Sequence, residues 1–199
     1  MRALHLALDR WVSSGKEPPA RRYPRVDAGQ LVSRDNLNFP QIPNVNVPIG
    51  PRPVRVKDYG PDFDKGVISF EPPKLGPKRR VLIPAVDQDG NETAGIRLPD
   101  LSVPLGTYTG WNLYDPAHGM PNKLNLSGSF IPFAKTECER ENAQDPRPSL
   151  ESRYPSRSDY LGRIAAAALE IVDDGFVLRE DVPSIIRSST ERWDYANKQ

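Results

Sequence analysis

The stretch Arg79-Arg-Val-Leu-Ile-Pro84-Ala-Val-Asp87-Gln-Asp89-Gly90-Asn91-Glu92-Thr93-Ala-Gly-Ile-Arg-Leu98 carries the clearest β signal of the chain. Arg79–Val86 and Thr93–Leu98 are rich in β-formers and flank an Asp-Gly turn, which predicts a hairpin over 79–98. Pro84 cannot donate to a ladder, so its strand belongs at an edge or a bulge. Just upstream, Val67–Phe70 reads as a short strand ended by Pro72 and Pro73. Asp87, Asp89 and Asn91 have the alternating spacing of a calcium loop, but no glutamate stands at its twelfth position, and the turn accounts for them better.

On either side the chain changes character. Residues 1–13 are an amphipathic helix with Leu4, Leu8 and Trp11 at i, i+4, i+7 and Ala3 and Ala7 adjoining, stopped by Gly15 and by Pro18–Pro19. Residues 16–66 hold nine prolines in a coil with short extended pieces such as Val54–Val56. The coil also carries Tyr23, Leu37, Phe39, Ile42 and Val47, so it is expected to pack on a surface rather than serve as a linker. Residues 99–134 read as loop. The last 50 residues turn helical: Ser158 or Asp159 caps a helix from about Tyr160 to Asp173 with an apolar face of Leu161, Ile164, Ala168, Ile171 and Val172. Gly175 closes it, and a final helix spans about Glu180 to Trp193 with Pro183 in its first turn. The fold class is therefore α+β, largely irregular and proline-rich, with segments 1–15, 16–157 and 158–199.

Composition narrows the function. Proline supplies 22 of 199 residues, about twice the usual ~5%. With 27 basic and 26 acidic residues the net charge of +1 leaves no electrostatic footprint for nucleic acid or an anionic membrane. No apolar run approaches the ~18–20 residues that span a bilayer. Asp9 and Arg10 interrupt any signal-peptide core, and the compartment is left open. The single cysteine, Cys138, excludes an internal disulfide, and two isolated histidines, His5 and His118, do not have zinc-site spacing. Neither a metal nor a cofactor is expected. His5 and Asp9 are spaced to pair on the first helix. The cluster Lys74, Lys78, Arg79, Arg80 reads as a solvated turn.

Catalytic signals are weak. The nucleophile elbow Gly-x-Ser-x-Gly is absent. Asp115, His118 and Ser129 could be drawn as a triad, but Asp115–Pro121 is a turn-rich loop that collects such residues anyway. No catalytic residue is assigned. Tyr108, Trp111, Tyr114, Phe130 and Phe133 cluster around glycines and Asn112, either as a ligand-facing wall or as packing under a loop.

The ordered motifs together resemble the last third of a bacterial family of α/β-hydrolase domain proteins. They are Met1–Trp11 with Gly15-Lys-Glu-Pro-Pro19, Arg80–Asn91, Gly95–Pro99, Pro104–Leu113, Ser127–Phe133, Asp145-Pro-Arg-Pro-Ser149 and Glu151-Ser-Arg-Tyr154. The resemblance implies a serine-esterase type of protein whose nucleophile and histidine precede the position matching Met1, with no counterpart here. It further implies that the partner of this chain is the hydrolase core, against whose sheet Leu4, Leu8 and Trp11 would pack, and that the chain alone is inactive. Tyr108, Trp111 and Asn112 are the residues expected to reach substrate. The alternative is a stand-alone binding module that contacts its partner through the Trp111 and Phe133 region.

Overall fold

The computed structural model describes residues 1–49, 53–115, 117 and 123–198, and its helical C-terminal part organises the rest. Ser156, rather than Ser158 or Asp159, caps the longest helix. Its hydroxyl accepts the Asp159 amide N–H at 3.1 Å, so α5 begins earlier than expected and runs Arg157–Asp173. Tyr160, Ile164, Ala168 and Ile171 form the buried stripe, while Leu161 and Val172 lie half-buried on its flank. Gly175, at φ +84°, lets the chain reverse after α5. A 3₁₀ turn over Arg179–Asp181 leads into α6, Val182–Ala196, with Pro183 in its first turn, and α5 and α6 pack together. Trp193 of α6 stacks on Tyr160 at 5.0 Å, and the Tyr154 ring stands edge-on to Tyr160 at 5.2 Å and to Trp193 at 5.9 Å. Tyr154 also donates its hydroxyl to the Pro104 carbonyl at 2.7 Å. These rings join Val103, Leu105, Phe133, Leu150 and Ile164 in the main core.

The β structure is four two-stranded antiparallel ladders among the described residues. β1 (Leu31–Val32) pairs with β4 (Ile83–Pro84), and β2 (Arg55–Asp58) pairs with β3 (Lys74–Lys78). β5 (Gly106–Thr109) pairs with β8 (Ser129–Pro132), and β6 (Asn112–Leu113) with β7 (Leu124–Asn125). Short helices complete the order: α2 (Pro99–Ser102), α3 (Glu137–Ala143) and α4 (Leu150–Arg153). The architecture is mixed α and β with small strands.

Three expectations change here. The 79–98 hairpin shrinks to one bridge between Val86 and Glu92, plus the Thr93 N–H bound to the Ala85 carbonyl. Ile83–Pro84 turns instead to β1 from the proline-rich coil, where Pro84 needs no second neighbour. Val67–Phe70 is not a strand: the Ser69 and Phe70 N–H groups both donate to the Tyr59 carbonyl, and the strand forms later, at 74–78. Residues 99–134, expected as loop, contain β5 and β8 at the centre of the molecule. Gly106 makes their approach feasible, because a Cβ there would lie 2.4 Å from the Ile131 carbonyl oxygen.

At the opposite end, α1 (Arg2–Ser14) forms as expected and ends on Gly15 at φ +71°. Its docking side is a surprise. Ala3, Leu6 and Ala7 face Val172, Val177 and Leu178, whereas Leu4, Leu8, Trp11 and Val12 stay exposed, Leu8 and Trp11 each by 52%. Two apolar stripes thus share one helix, and only the alanine side finds a partner among the described residues.

Two substitutions measure how far this packing is determined locally. Gly106→Ala lowers the unfolding free energy by about 1–3 kcal/mol through the clash with β8. Gly110→Ala, where an added Cβ meets nothing within 4 Å, stays within about 0.5 kcal/mol of the parent. Urea unfolding of the two variants side by side checks the contrast.

Candidate functional site

The side chains of the Asp87–Asn91 turn do three separate jobs. The Asp87 carboxylate accepts the Asp89 and Asn91 N–H groups, each at 3.0 Å, and takes Arg97 at 3.0 Å on its second oxygen. Asn91 is fully buried: its Nδ2 donates to the Gly106 carbonyl at 3.1 Å and its Oδ1 accepts the Tyr108 N–H at 2.8 Å. One amide side chain therefore meets a donor and an acceptor on β5 that a neighbouring strand would otherwise satisfy. Asp89 pairs with Arg153 through both of its oxygens, one contact at 2.9 Å.

Arg147 is the centre of this layer. It is 2% exposed and binds both Asp145 oxygens, the Thr107 hydroxyl at 2.8 Å, the Ile131 carbonyl at 2.9 Å and the Pro132 carbonyl at 3.0 Å. Both arginines approach the Phe133 ring, its centroid 4.0 Å from the Arg153 guanidinium carbon and 5.1 Å from that of Arg147. Burial by itself would push the Asp145 carboxyl up. The Arg147 side chain and backbone N–H outweigh that and hold it below the usual carboxylate range. Thr107 donates its own hydroxyl to the Asp89 backbone carbonyl, which closes the network.

Above this layer lies a cavity of about 190 Å³. Leu37 and Phe39 reach it from the proline-rich coil, Ile83 and Val86 from the segment before the turn, and Tyr108 and Trp111 from β5 and the residues after it. Phe39 meets Trp111 with ring centroids 5.9 Å apart, and Phe130 supports Tyr108 from behind at 4.9 Å. Burial pushes the Tyr108 hydroxyl well above the usual phenol range, so it stays protonated. Gly90 is required at the cavity wall: its φ is +80°, and a Cβ would approach both Phe39 and Thr107 to 3.0 Å. The nearby hydrogen-bonding groups are already engaged. The Trp111 carbonyl accepts the Thr109 hydroxyl at 2.5 Å and the Ser129 hydroxyl at 3.1 Å. The charged members of the lining, Arg34 and Glu92, are both exposed and opposite in sign.

The expected site residues separate here. Tyr108 and Trp111 line one cavity together. Asn112 is not among its lining residues; it is exposed, and its side-chain oxygen accepts the Leu113 N–H at 2.8 Å. Of the other aromatics, Phe133 is core and Tyr114 is exposed beneath Lys123. In the triad once drawn from Asp115, His118 and Ser129, the serine is committed to Trp111 and Asp115 caps the Ala117 N–H at 2.8 Å, while His118 lies outside the described residues. Among the described contacts His5 and Asp9 do not pair, and Cys138 is an exposed thiol. Residue-level reading missed Phe39, Asn91, Asp145 and Arg147 as members of this region. The motifs containing Asn91, Asp145 and Arg147 were visible, but no local spacing shows that they converge.

A family model described as alpha/beta hydrolase domain matches residues 1–187. The chain belongs to that family, as its ordered motifs implied. No curated protein and no solved structure matches it. The membership also gives the buried network a setting, since most of its residues fall within motifs that carry the resemblance. Among the described residues, no helix is long and apolar enough to cross a membrane.

Arg147→Ala leaves Asp145 as a buried unpaired carboxylate, so the unfolding free energy falls by about 3–5 kcal/mol in a urea titration. The ionised Asp145 stabilises the fold above the unfolded-state value of about 4, and this contribution is lost as pH falls through the lower folded-state value. Asp145→Asn removes that dependence, so its gap in stability from the parent narrows as pH drops below about 4. Unfolding curves at stepped pH provide the check.

Proposed function

We propose that these 199 residues are the C-terminal, non-catalytic portion of a bacterial serine-esterase-type hydrolase, inactive by themselves. One observation carries the reading. The helix α1 buries Ala3, half-buries Leu6 and Ala7, and leaves Leu4, Leu8, Trp11 and Val12 uncovered. Each such side chain gains about 1.5–3 kcal/mol on full burial, which is a large cost to leave in water on one helix face. In this reading the face packs on the central sheet of the catalytic core, which supplies the nucleophile elbow absent from this sequence. In this reading Tyr108, Trp111 and Asn112 remain the candidates for substrate contact, the first two as lining of one cavity and Asn112 as an exposed neighbour, without chemical roles.

The second reading, a self-contained binding module, is supported by the closed Arg147 layer and the α5–α6 core. Solution behaviour distinguishes the two. A module keeps the α1 face occupied or harmless, whereas a portion of a hydrolase exposes it and binds hydrophobic dye.

The expected result with nitrophenyl acetate and butyrate is a rate equal to buffer. Turnover that disappears in Ser129→Ala would overturn the proposal. Leu8→Glu should change the unfolding free energy by no more than about 0.5 kcal/mol and reduce dye binding. If that variant instead unfolds the chain, the face is already used internally and no core is needed to cover it.

A further inference from the structure

We infer that the cavity behind Tyr108 and Trp111 is a pocket for an uncharged, single-ring aromatic group. The inference rests on the proposed hydrolase reading and names the part of the substrate that these walls would hold. Size gives the first constraint. A dry apolar cavity of about 150 Å³ accepts benzene, and this one measures about 190 Å³, enough for one ring and a small substituent but not for a fused pair.

The walls give the second constraint. Leu37, Ile83 and Val86 are aliphatic, and Phe39 and Trp111 bring rings that favour tilted or offset contact with another ring. Phe130 holds Tyr108 in place, and the lack of a side chain at Gly90 leaves room for Phe39. Hydrogen bonding inside the pocket contributes little selectivity, because the Trp111 carbonyl and the Thr109 and Ser129 hydroxyls already satisfy one another.

Charge is the third constraint. Arg34 and Glu92 both line the cavity, and among the described residues neither is in an ion pair. Arg34 uses its Nε on the Pro48 carbonyl at 3.2 Å. The two charges are exposed and opposite in sign, so their effects on a ligand charge largely offset, and a carboxylate or an ammonium is left with the loss of hydration against apolar walls. A neutral ring avoids that cost.

The test is a fluorine-NMR titration of the full chain with 4-fluoroacetophenone, alongside 4-fluorobenzoate and 4-fluorobenzylamine, at neutral pH. The neutral ring should bind saturably, with the two charged analogues at least about tenfold weaker, a difference of about 1.4 kcal/mol. Glu92→Gln should improve benzoate and leave the ketone unchanged; Arg34→Gln should do the same for the benzylammonium. Val86→Phe, confirmed folded by circular dichroism, should abolish ketone binding. No saturable binding of the ketone, equal binding of all three probes, or ketone binding that survives in folded Val86→Phe would each overturn the inference. Failure here is separable from failure of the hydrolase reading. Absent ring binding with no turnover and an exposed α1 face removes the ligand assignment alone, whereas turnover by the isolated chain removes the other.

Discussion

A guanidinium without water must have every donor occupied, and the surroundings of Arg147 follow from that constraint. Asp145 neutralises its charge, while Thr107, Ile131 and Pro132 take the remaining N–H groups. Because those acceptors belong to β5 and β8, the arginine ties two strands of four residues each to the segment that leads into α4. Such short ladders bury little by themselves. The buried ion pair makes up for this in definition rather than in net energy, since desolvation consumes much of the Coulombic gain.

From this centre the network extends in both directions along the chain. Asn91 occupies the edge of β5 with an amide, and Asp89 reaches Arg153, one residue before Tyr154 enters the aromatic core. The family motifs in these segments therefore supply the structural points of contact of the buried layer. The same scaffold shapes the cavity: the ordered turn sets Gly90 beside the Phe39 ring of the proline-rich coil and the Thr107 methyl of β5.

The helix α1 shows why amphipathic spacing and packing direction are separate matters. Leu4, Leu8 and Trp11 have the stronger apolar pattern, yet the shallow surface of Val172, Val177 and Leu178 accepts Ala3, Leu6 and Ala7. The bulky stripe is turned outward. The two stripes adjoin on one broad apolar arc of α1, of which the Ala3 side is covered and the Leu8–Val12 side is exposed.

Local physics determined the elements whose causes are adjacent in sequence: α1 with its Gly15 stop, α5 and α6, Gly175 between them, and the Asp87–Asn91 turn. It also determined that the proline-rich coil carries apolar residues to a surface. Tertiary structure decided the rest. Pro84 found β1 instead of Thr93–Leu98, because an edge strand accepts a residue without a donor and a distant partner was available. β5 and β8 were illegible for a related reason, since Gly106 and Pro132 interrupt short runs of strand-forming residues and the partner strand lies about 20 or more residues away in the chain. Likewise Tyr108 and Trp111 could be singled out from their setting, but Phe39 could not, because about 70 residues separate it from the wall it completes. The spacing of neighbours records what a segment prefers; only the closed chain decides which groups must satisfy one another out of reach of water.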